Sequence, residues 1–340
     1  ATIRNVGAEP LQSEQAILTV DDATQTLSLP AIDTDATVDV PITLTFDEPG
    51  QHRVALQLPA DALSDDDTRR LMVNVRRDVA VTLVDGDPGV QPFESETDFL
   101  EVALTAGNAA WQATRLISSE WLEQPLAAPD IIVLANVAGL TPTRVAELEE
   151  LVAAGTGLML FVGDQIDVEE FNRLLDRDGK GLLPARLDQF RDAEVTGLVL
   201  EPLADSPIAM LGKLTPEALS RVRPKRFADV QLSESDHAAV RVLARWNDPQ
   251  QSPALVEKQF GKGRVLLWTV TADRAWSDWP VEASFVLAMR LAAQGIAAQA
   301  ETGANLICGE PIVRTLDPQL APQEFNLATP DSADELTLPV

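Results

Sequence analysis

The chain has 340 residues, 45% hydrophobic and 23% charged, enough for two or three domains that each bury a core. Its 53 Asp and Glu against 26 Lys and Arg leave a net charge of −27, which repels nucleic acid and anionic lipid and excludes sequence-independent DNA binding. A single cysteine, Cys308, excludes an intrachain disulfide and a cysteine-based zinc site, and His52 and His237 lack metal-ligand spacing.

Residues 1–77 alternate apolar and polar positions between turns and show no helical period. Ala16–Val20, Thr26–Leu29, Val38–Phe46, His52–Leu58 and Leu71–Val75 read as short strands, with the turn Asp47-Glu48-Pro49-Gly50 between the third and fourth. Strands at this spacing predict an immunoglobulin-like β-sandwich. Before the last strand lies the acidic run Asp61 to Asp67. Clustered carboxylates suit calcium, but the glycine and distal glutamate of an EF-hand loop are missing, so a solvated turn is expected.

At Val79 the pattern changes. Val79–Val84 is a continuous apolar run that ends in Asp85-Gly86-Asp87-Pro88-Gly89, as does a strand buried on both faces. Glu94–Leu104 follows as a helix, with Ser95 as its cap. Trp111–Ile117, Asp130–Asn136 and Leu158–Val162 are the next strands, the last ending in Gly163-Asp164. Thr141-Pro142 starts a helix that runs to Ala153, and Val168–Leu175 is a shorter one. Strands separated by helices imply βαβ units in a mainly parallel sheet. Ligands on such sheets bind beyond the carboxyl ends of the strands, here Asp85, Asp87, Asn136 and Asp164.

Further on, Val195–Leu200 and Phe227–Leu232 read as strands and Pro216–Val222 as a helix. Val240–Trp246, Ala254–Phe260 and Arg264–Val270 form an antiparallel series, the last two joined at Gly261-Lys262-Gly263. Trp268, Trp276 and Trp279, with Asp273, Arg274 and Asp278, follow it, and their expected role is packing at the end of the sheet. The last helix is Val281–Ala293. The remainder is rich in proline and acid, with strand-like pieces at Pro311–Val313 and Glu335–Leu338. No apolar run approaches the ~20 residues of a membrane helix. The chain opens at Ala1 without a signal-peptide pattern, and we read it as a mature or excised soluble region of something larger.

Three chemistries can be set against these residues. Asp85 and Asp87, two apart at a strand end, have the spacing of haloacid-dehalogenase-type phosphohydrolases, and Asp164 sits where their later acidic motif falls. Pro88-Gly89 and Asn136 depart from that pattern. A response-regulator receiver needs a phosphoacceptor Asp where Asn136 stands. Class I amidotransferase chemistry needs a nucleophile in a strand-to-helix elbow, and the turns at Asn136 and Gly163 hold neither Cys nor Ser.

Leu83-Val84-Asp85-Gly86-Asp87-Pro88, Pro92–Leu100, Val133–Val137, Leu160–Asp164, Phe171–Leu175, Gly261–Val265 and Asp273–Ser277 together resemble planctomycete-type Bat (aerotolerance-regulator) membrane proteins. The resemblance implies a CARDB-like, immunoglobulin-like β-sandwich over residues 1–77. It implies a flavodoxin-like, class I glutamine-amidotransferase-like α/β domain over 78–298, and leaves 299–340 as a partial β-domain or β tail. It further implies an extracytoplasmic (periplasmic) region tethered to a membrane by segments outside this chain. With the catalytic Cys lost, the expected function is a non-catalytic binding or scaffold module with a protein, peptide or glycan partner and no cofactor. The alternative is a metal-dependent phosphohydrolase acting through Asp85, Asp87 and Asp164. Asp85, Asp87, Asn136, Asp164 and Trp276 are expected at the rim of any pocket.

Overall fold

The computed structural model describes residues 1–61, 63, 66–75, 78–107, 110–126, 128–193, 195–203, 206–214, 216–232, 240–297, 324–327 and 336–339. His237, Cys308 and the expected strand at 311–313 lie outside them, as do Ala62, Ser64 and Asp65 of the acidic run. The chain divides into two compact units. One takes Ala1–Val40, Arg53–Val73 and Glu301–Val340, the other Pro41–His52 and Asn74–Ala300.

Among its described residues the first unit is all β. Strands β1 (Thr2–Arg4) and β4 (Thr37–Asp39) form an antiparallel ribbon. Strands β2 (Gln15–Val20), β3 (Ala23–Ser28), β5 (Gly50–Gln57) and β6 (Thr68–Val75) form a sheet of order β3-β2-β5-β6. Ile3, Ala16, Leu29, Ile32 and Val40 are its buried core, with Leu27, Val38 and Leu56 packed against them. The strand expected over Val38–Phe46 stops at Asp39, because Pro41 offers no N–H to a ladder. The seven strands of an immunoglobulin-like constant domain are therefore not what this part of the chain forms among the described residues.

The second unit is built on an eight-stranded mixed sheet. Its strands are β7 (Val79–Asp85), β8 (Trp111–Ile117), β9 (Ile131–Ala135), β10 (Gly157–Phe161), β12 (Leu198–Leu200), β14 (Val240–Trp246), β15 (Pro253–Phe260) and β16 (Gly263–Trp268). From one edge the order is β8-β7-β9-β10-β16, all parallel, then β15, β14 and β12, each antiparallel to its neighbour. Numbered along the chain, the parallel part runs 2-1-3-4-5, a doubly wound order whose switch point lies between β7 and β9. Strands β11 (Arg186–Asp192) and β13 (Arg226–Gln231) pair as a separate ribbon. The charges of β11 hide its strand pattern in the sequence.

All five residues of β9 and of β10 are buried, as their continuous apolar runs require. Alternate side chains point to opposite faces. Leu83, Val133 and Phe161 meet helices α1 (Asp98–Thr105) and α7 (Ala283–Ala297) through Leu100, Leu104, Phe285 and Met289. Val84, Leu134 and Leu160 meet α2 (Ser118–Glu123), α3 (Pro142–Ala154) and α4 (Val168–Leu175) through Trp121, Leu148, Val152 and Phe171. Thr141 caps α3 by accepting from the Arg144 N–H, with Pro142 at its first turn. Helices α5 (Ala209–Leu214) and α6 (Pro216–Leu219) are short. Near the C-terminus β17 (Glu324–Leu327) and β18 (Leu336–Pro339) form an antiparallel hairpin. No described helix is long and apolar enough to cross a membrane.

Candidate functional site

The carboxyl ends of β7, β9 and β10 meet at the switch point. Asn136, the residue after β9, has φ +54°, a left-handed conformation that an asparagine tolerates, and is fully buried. Glycines flank it closely. A Cβ on Gly86 would lie 1.8 Å from the Asn136 carbonyl oxygen, and one on Gly163 would lie 2.2 Å from the Asn136 side chain. The residue thus occupies a tight strand-to-loop elbow where side-chain identity matters and neighbours cannot give way.

Asn136 joins three elements. Its Nδ2 donates to Glu96 Oε1 at 2.9 Å and to Asp164 Oδ1 at 3.1 Å, and its Oδ1 accepts from the Gln165 N–H at 3.0 Å. Reversing the amide would set its oxygen against two carboxylates, so the network fixes the orientation. Glu96 is 2% exposed and takes a second hydrogen bond from the Ala272 N–H at 3.2 Å. Burial, then the nearby charge of Asp273 and that of Asp85, push its pKa up to about 8 against the opposing pull of Asn136 and Ala272. At neutral pH Glu96 holds its proton. Asp273 is raised as well, by burial and by Asp87.

Asp85 is held differently. Its Oδ1 accepts from the Asp87 N–H at 3.2 Å, and its Oδ2 accepts from the Thr97 hydroxyl at 2.9 Å and from the Ser95 hydroxyl. Arg115, on the adjacent strand β8, places Nη2 3.5 Å from the same oxygen and donates to Ser95, while its Nη1 pairs with Asp98 at 2.7 Å. Both carboxylate oxygens of this 2% exposed side chain are therefore engaged by donors within the protein. Ser95 therefore does not cap α1. It turns toward Asp85, and the helix starts at Asp98, four residues later than the sequence suggests.

Of the five residues expected at the rim, the structure gathers four at the strand ends and places only Asp87 and Asp164 at the surface. Asp85 and Asn136 lie beneath them. Trp276 is buried, edge-on to Phe190 at 4.9 Å and under the Arg226 guanidinium at 5.1 Å, so its face is not open to a ligand. Trp268 and Trp279 are core residues as well. Asp85, Asp87 and Asp164 do not bring one oxygen each within reach of a common ion; among the described residues only Asp61, Asp66 and Asp67 do so. The cleft beyond β9 and β10, between Val137–Leu140 and Gln165–Leu174, holds about 60 Å³, well below a usual substrate pocket. Sequence reasoning missed Glu96, Ser95, Thr97 and Arg115. Their one signal is Ser95-Glu96-Thr97 following an acidic strand end, a pattern that locally reads as a helix start.

These features define a mixed α/β protein with its site at a topological switch point. No protein-family model matches the chain, and no curated protein matches it. Among solved structures, Cytoplasmic Protein STM1381 from Salmonella typhimurium LT2 superposes with a TM-score of 0.50 at 15% identity, covering 64% of this chain and 99% of that one. Cytoplasmic Protein STM3548 from Salmonella typhimurium gives 0.48 at 13%, covering 64% and 98%. A ThuA-like protein from Parabacteroides merdae gives 0.44 at 12%, covering 66% and 92%. At such identities the likeness speaks of fold alone. The expectation of an extracytoplasmic (periplasmic) location is corrected here: the neighbour that superposes at a TM-score of 0.50, over 99% of its own length, is named as a cytoplasmic protein.

Proposed function

We propose that the chain is a non-catalytic binding module whose α/β unit is a glutamine-amidotransferase-like scaffold without a nucleophile. The observation that carries this reading is Asn136. The elbow that would present an attacking Cys or Ser holds a buried amide whose donors and acceptor are all spent within the protein. In this reading the β unit is a reduced immunoglobulin-like sandwich, two sheets over one core.

Among protein, peptide and glycan partners, the surface favours a basic peptide or protein segment. Asp87 and Asp164 stand exposed, and Asp273 partly so, on a chain of net charge −27. A glycan would want an open aromatic face, and Trp276 does not offer one. The metal-dependent phosphohydrolase remains the weaker alternative, since Asp85 is engaged by two hydroxyls and its three carboxylates are not grouped for an ion.

The test is retention of the chain on arrayed basic peptides, acidic peptides and neutral glycans, with p-nitrophenyl phosphate and glutamine turnover measured alongside. Retention on basic peptides, lost in Asp87→Asn/Asp164→Asn, is expected, with no turnover. Hydrolysis of either substrate above buffer, or binding indifferent to the double substitution, sinks the reading.

A further inference from the structure

The loop between β7 and α1 carries an apolar surface that the sheet-end hydrogen bonds do not use. It runs Pro88-Gly89-Val90-Gln91-Pro92-Phe93-Glu94. Val90 is 98% exposed and Phe93 53%. Phe93 also has φ +66°, a left-handed conformation that bulky side chains avoid. The loop is nevertheless tied down. The Phe93 N–H donates to Asp98 Oδ2 at 2.7 Å, and the Gln91 N–H donates to Glu94 Oε2 at 3.0 Å. At the loop's start the Asp87 N–H donates to Asp85. The Phe93 ring lies against Phe99 of α1, with centroids 5.1 Å apart. Three residues further along α1, Val102 continues the strip and is 48% exposed.

Single exposed apolar residues are ordinary on a surface. A bulky residue held at a strained backbone angle is not. Such strain persists only where the surroundings enforce it, and it clusters at binding elements. Here the ring it places is half exposed rather than sunk in the core. We propose that the strip formed by Val90, Phe93, Phe99 and Val102 seats the apolar anchor of a basic peptide, a segment in which leucine or an aromatic residue stands beside lysine or arginine. This rests on the reading of the sheet ends as a surface for basic segments, and it adds the contact that fixes such a segment in place.

The charges around the strip choose its occupant. Asp87 and Glu94 flank Val90 and Phe93, both exposed and neither in an ion pair among the described residues. Asp98 and Glu101, on α1, are already paired with Arg115. The cation of an incoming segment therefore falls to Asp87 and Glu94. An acidic segment meets repulsion there, and so does a second copy of this chain at net charge −27. Pro88 and Pro92 restrict the loop before anything binds, which lowers the cost of ordering it.

The experiment is fluorescence anisotropy of the full chain with three labelled peptides: a lysine peptide with a central leucine, the same peptide with a central serine, and a glutamate peptide with a central leucine. The lysine–leucine peptide should bind about tenfold more tightly than the lysine–serine peptide, and the glutamate peptide should not bind. Phe93→Asn/Val90→Ser should abolish the preference for leucine and leave the lysine–serine affinity unchanged, while Asp87→Asn weakens both lysine peptides. Asparagine accepts a φ above zero, so the backbone at residue 93 is respected. Val90→Ser alone alters a side chain that is 98% exposed, folds in any case, and should cut the preference by about threefold. Equal binding of the leucine and serine peptides, or a preference that survives both variants, overturns this inference and leaves the basic-segment reading standing. Failure of both lysine peptides to bind overturns the two together. Concentration-dependent dimers in sedimentation that Val90→Ser dissolves also overturn it, since a second copy then covers the strip.

Discussion

The molecule treats its clustered carboxylates in two ways. At the sheet ends each buried acid has its own answer: two hydroxyls and Arg115 for Asp85, a retained proton and the Asn136 amide for Glu96. In the β5–β6 loop the acids stay nearer to water: Asp61 and Asp66 are exposed, and Asp67 is 9% exposed against 2% for Asp85 and Glu96. The contrast separates acids answered within the fold from acids left to solvent. It also explains why the sheet-end acids make a poor metal site despite their number. Asp85 is already paired with Arg115, Glu96 already holds a proton, and Asp87 and Asp164 do not close with Asp85 on a common point.

The largest expected effect tests the protonated state of Glu96. Its carboxyl titrates near 4.5 when unfolded and at about 8 when folded, so the folded chain binds the proton more tightly. Stability from this group is full below pH 4.5 and is lost as pH rises toward 8, with a slope of up to about 1.4 kcal/mol per pH unit in that window. Asp273, raised by burial and Asp87, adds in the same direction. Glu96→Gln keeps the shape and removes the titration. Denaturant melts from pH 5 to 9 should show wild type losing ground to the variant up to about pH 8 and running level with it beyond. Parallel curves would mean that Glu96 is ionised in the fold and that the two acid groups are more alike than the structure makes them.

A smaller loss should follow from Asn136→Asp. Aspartate tolerates φ above zero, so the backbone is respected, but the donors to Glu96 and Asp164 vanish and a like charge appears between them. A cost of about 2–3 kcal/mol at pH 8 is expected, shrinking as the solution is acidified. Equal destabilisation at pH 5 and pH 8 would show that packing in the elbow, not charge, decides this position.

How much of this was legible beforehand follows the range of the interactions. Ile131–Ala135 and Gly157–Phe161 declare themselves because burial on both faces leaves an unbroken apolar run. Thr141-Pro142 declares the start of α3 because capping is local. Asp85, Asn136 and Asp164 could be placed together because a parallel sheet aligns its strand ends. The partners could not. Glu96 and Ala272 are 176 residues apart, and nothing near either hints at the other. Ser95 misleads for the same reason: its local pattern says helix cap, and the tertiary partner Asp85 wins. Trp276 is expected to pack at the end of the sheet and does, but its placement at a pocket rim fails because Phe190 and Arg226 cover its ring. Asp67 gives no signal at all, because burial of one acid in an acidic loop leaves no mark on the sequence.

The smallest effect sharpens the comparison most. Asp67→Asn removes one of three carboxylates that each bring an oxygen within 4.8 Å of the others. It should leave stability unchanged or raise it by about 0.5 kcal/mol at low salt, the gain fading as salt screens the group. Asn136→Asp, the opposite exchange at the sheet ends, should only ever destabilise. If Asp67→Asn instead costs about 2 kcal/mol or more, its carboxylate belongs with Asp85 as an acid held within the fold, and the two regions do not differ as drawn.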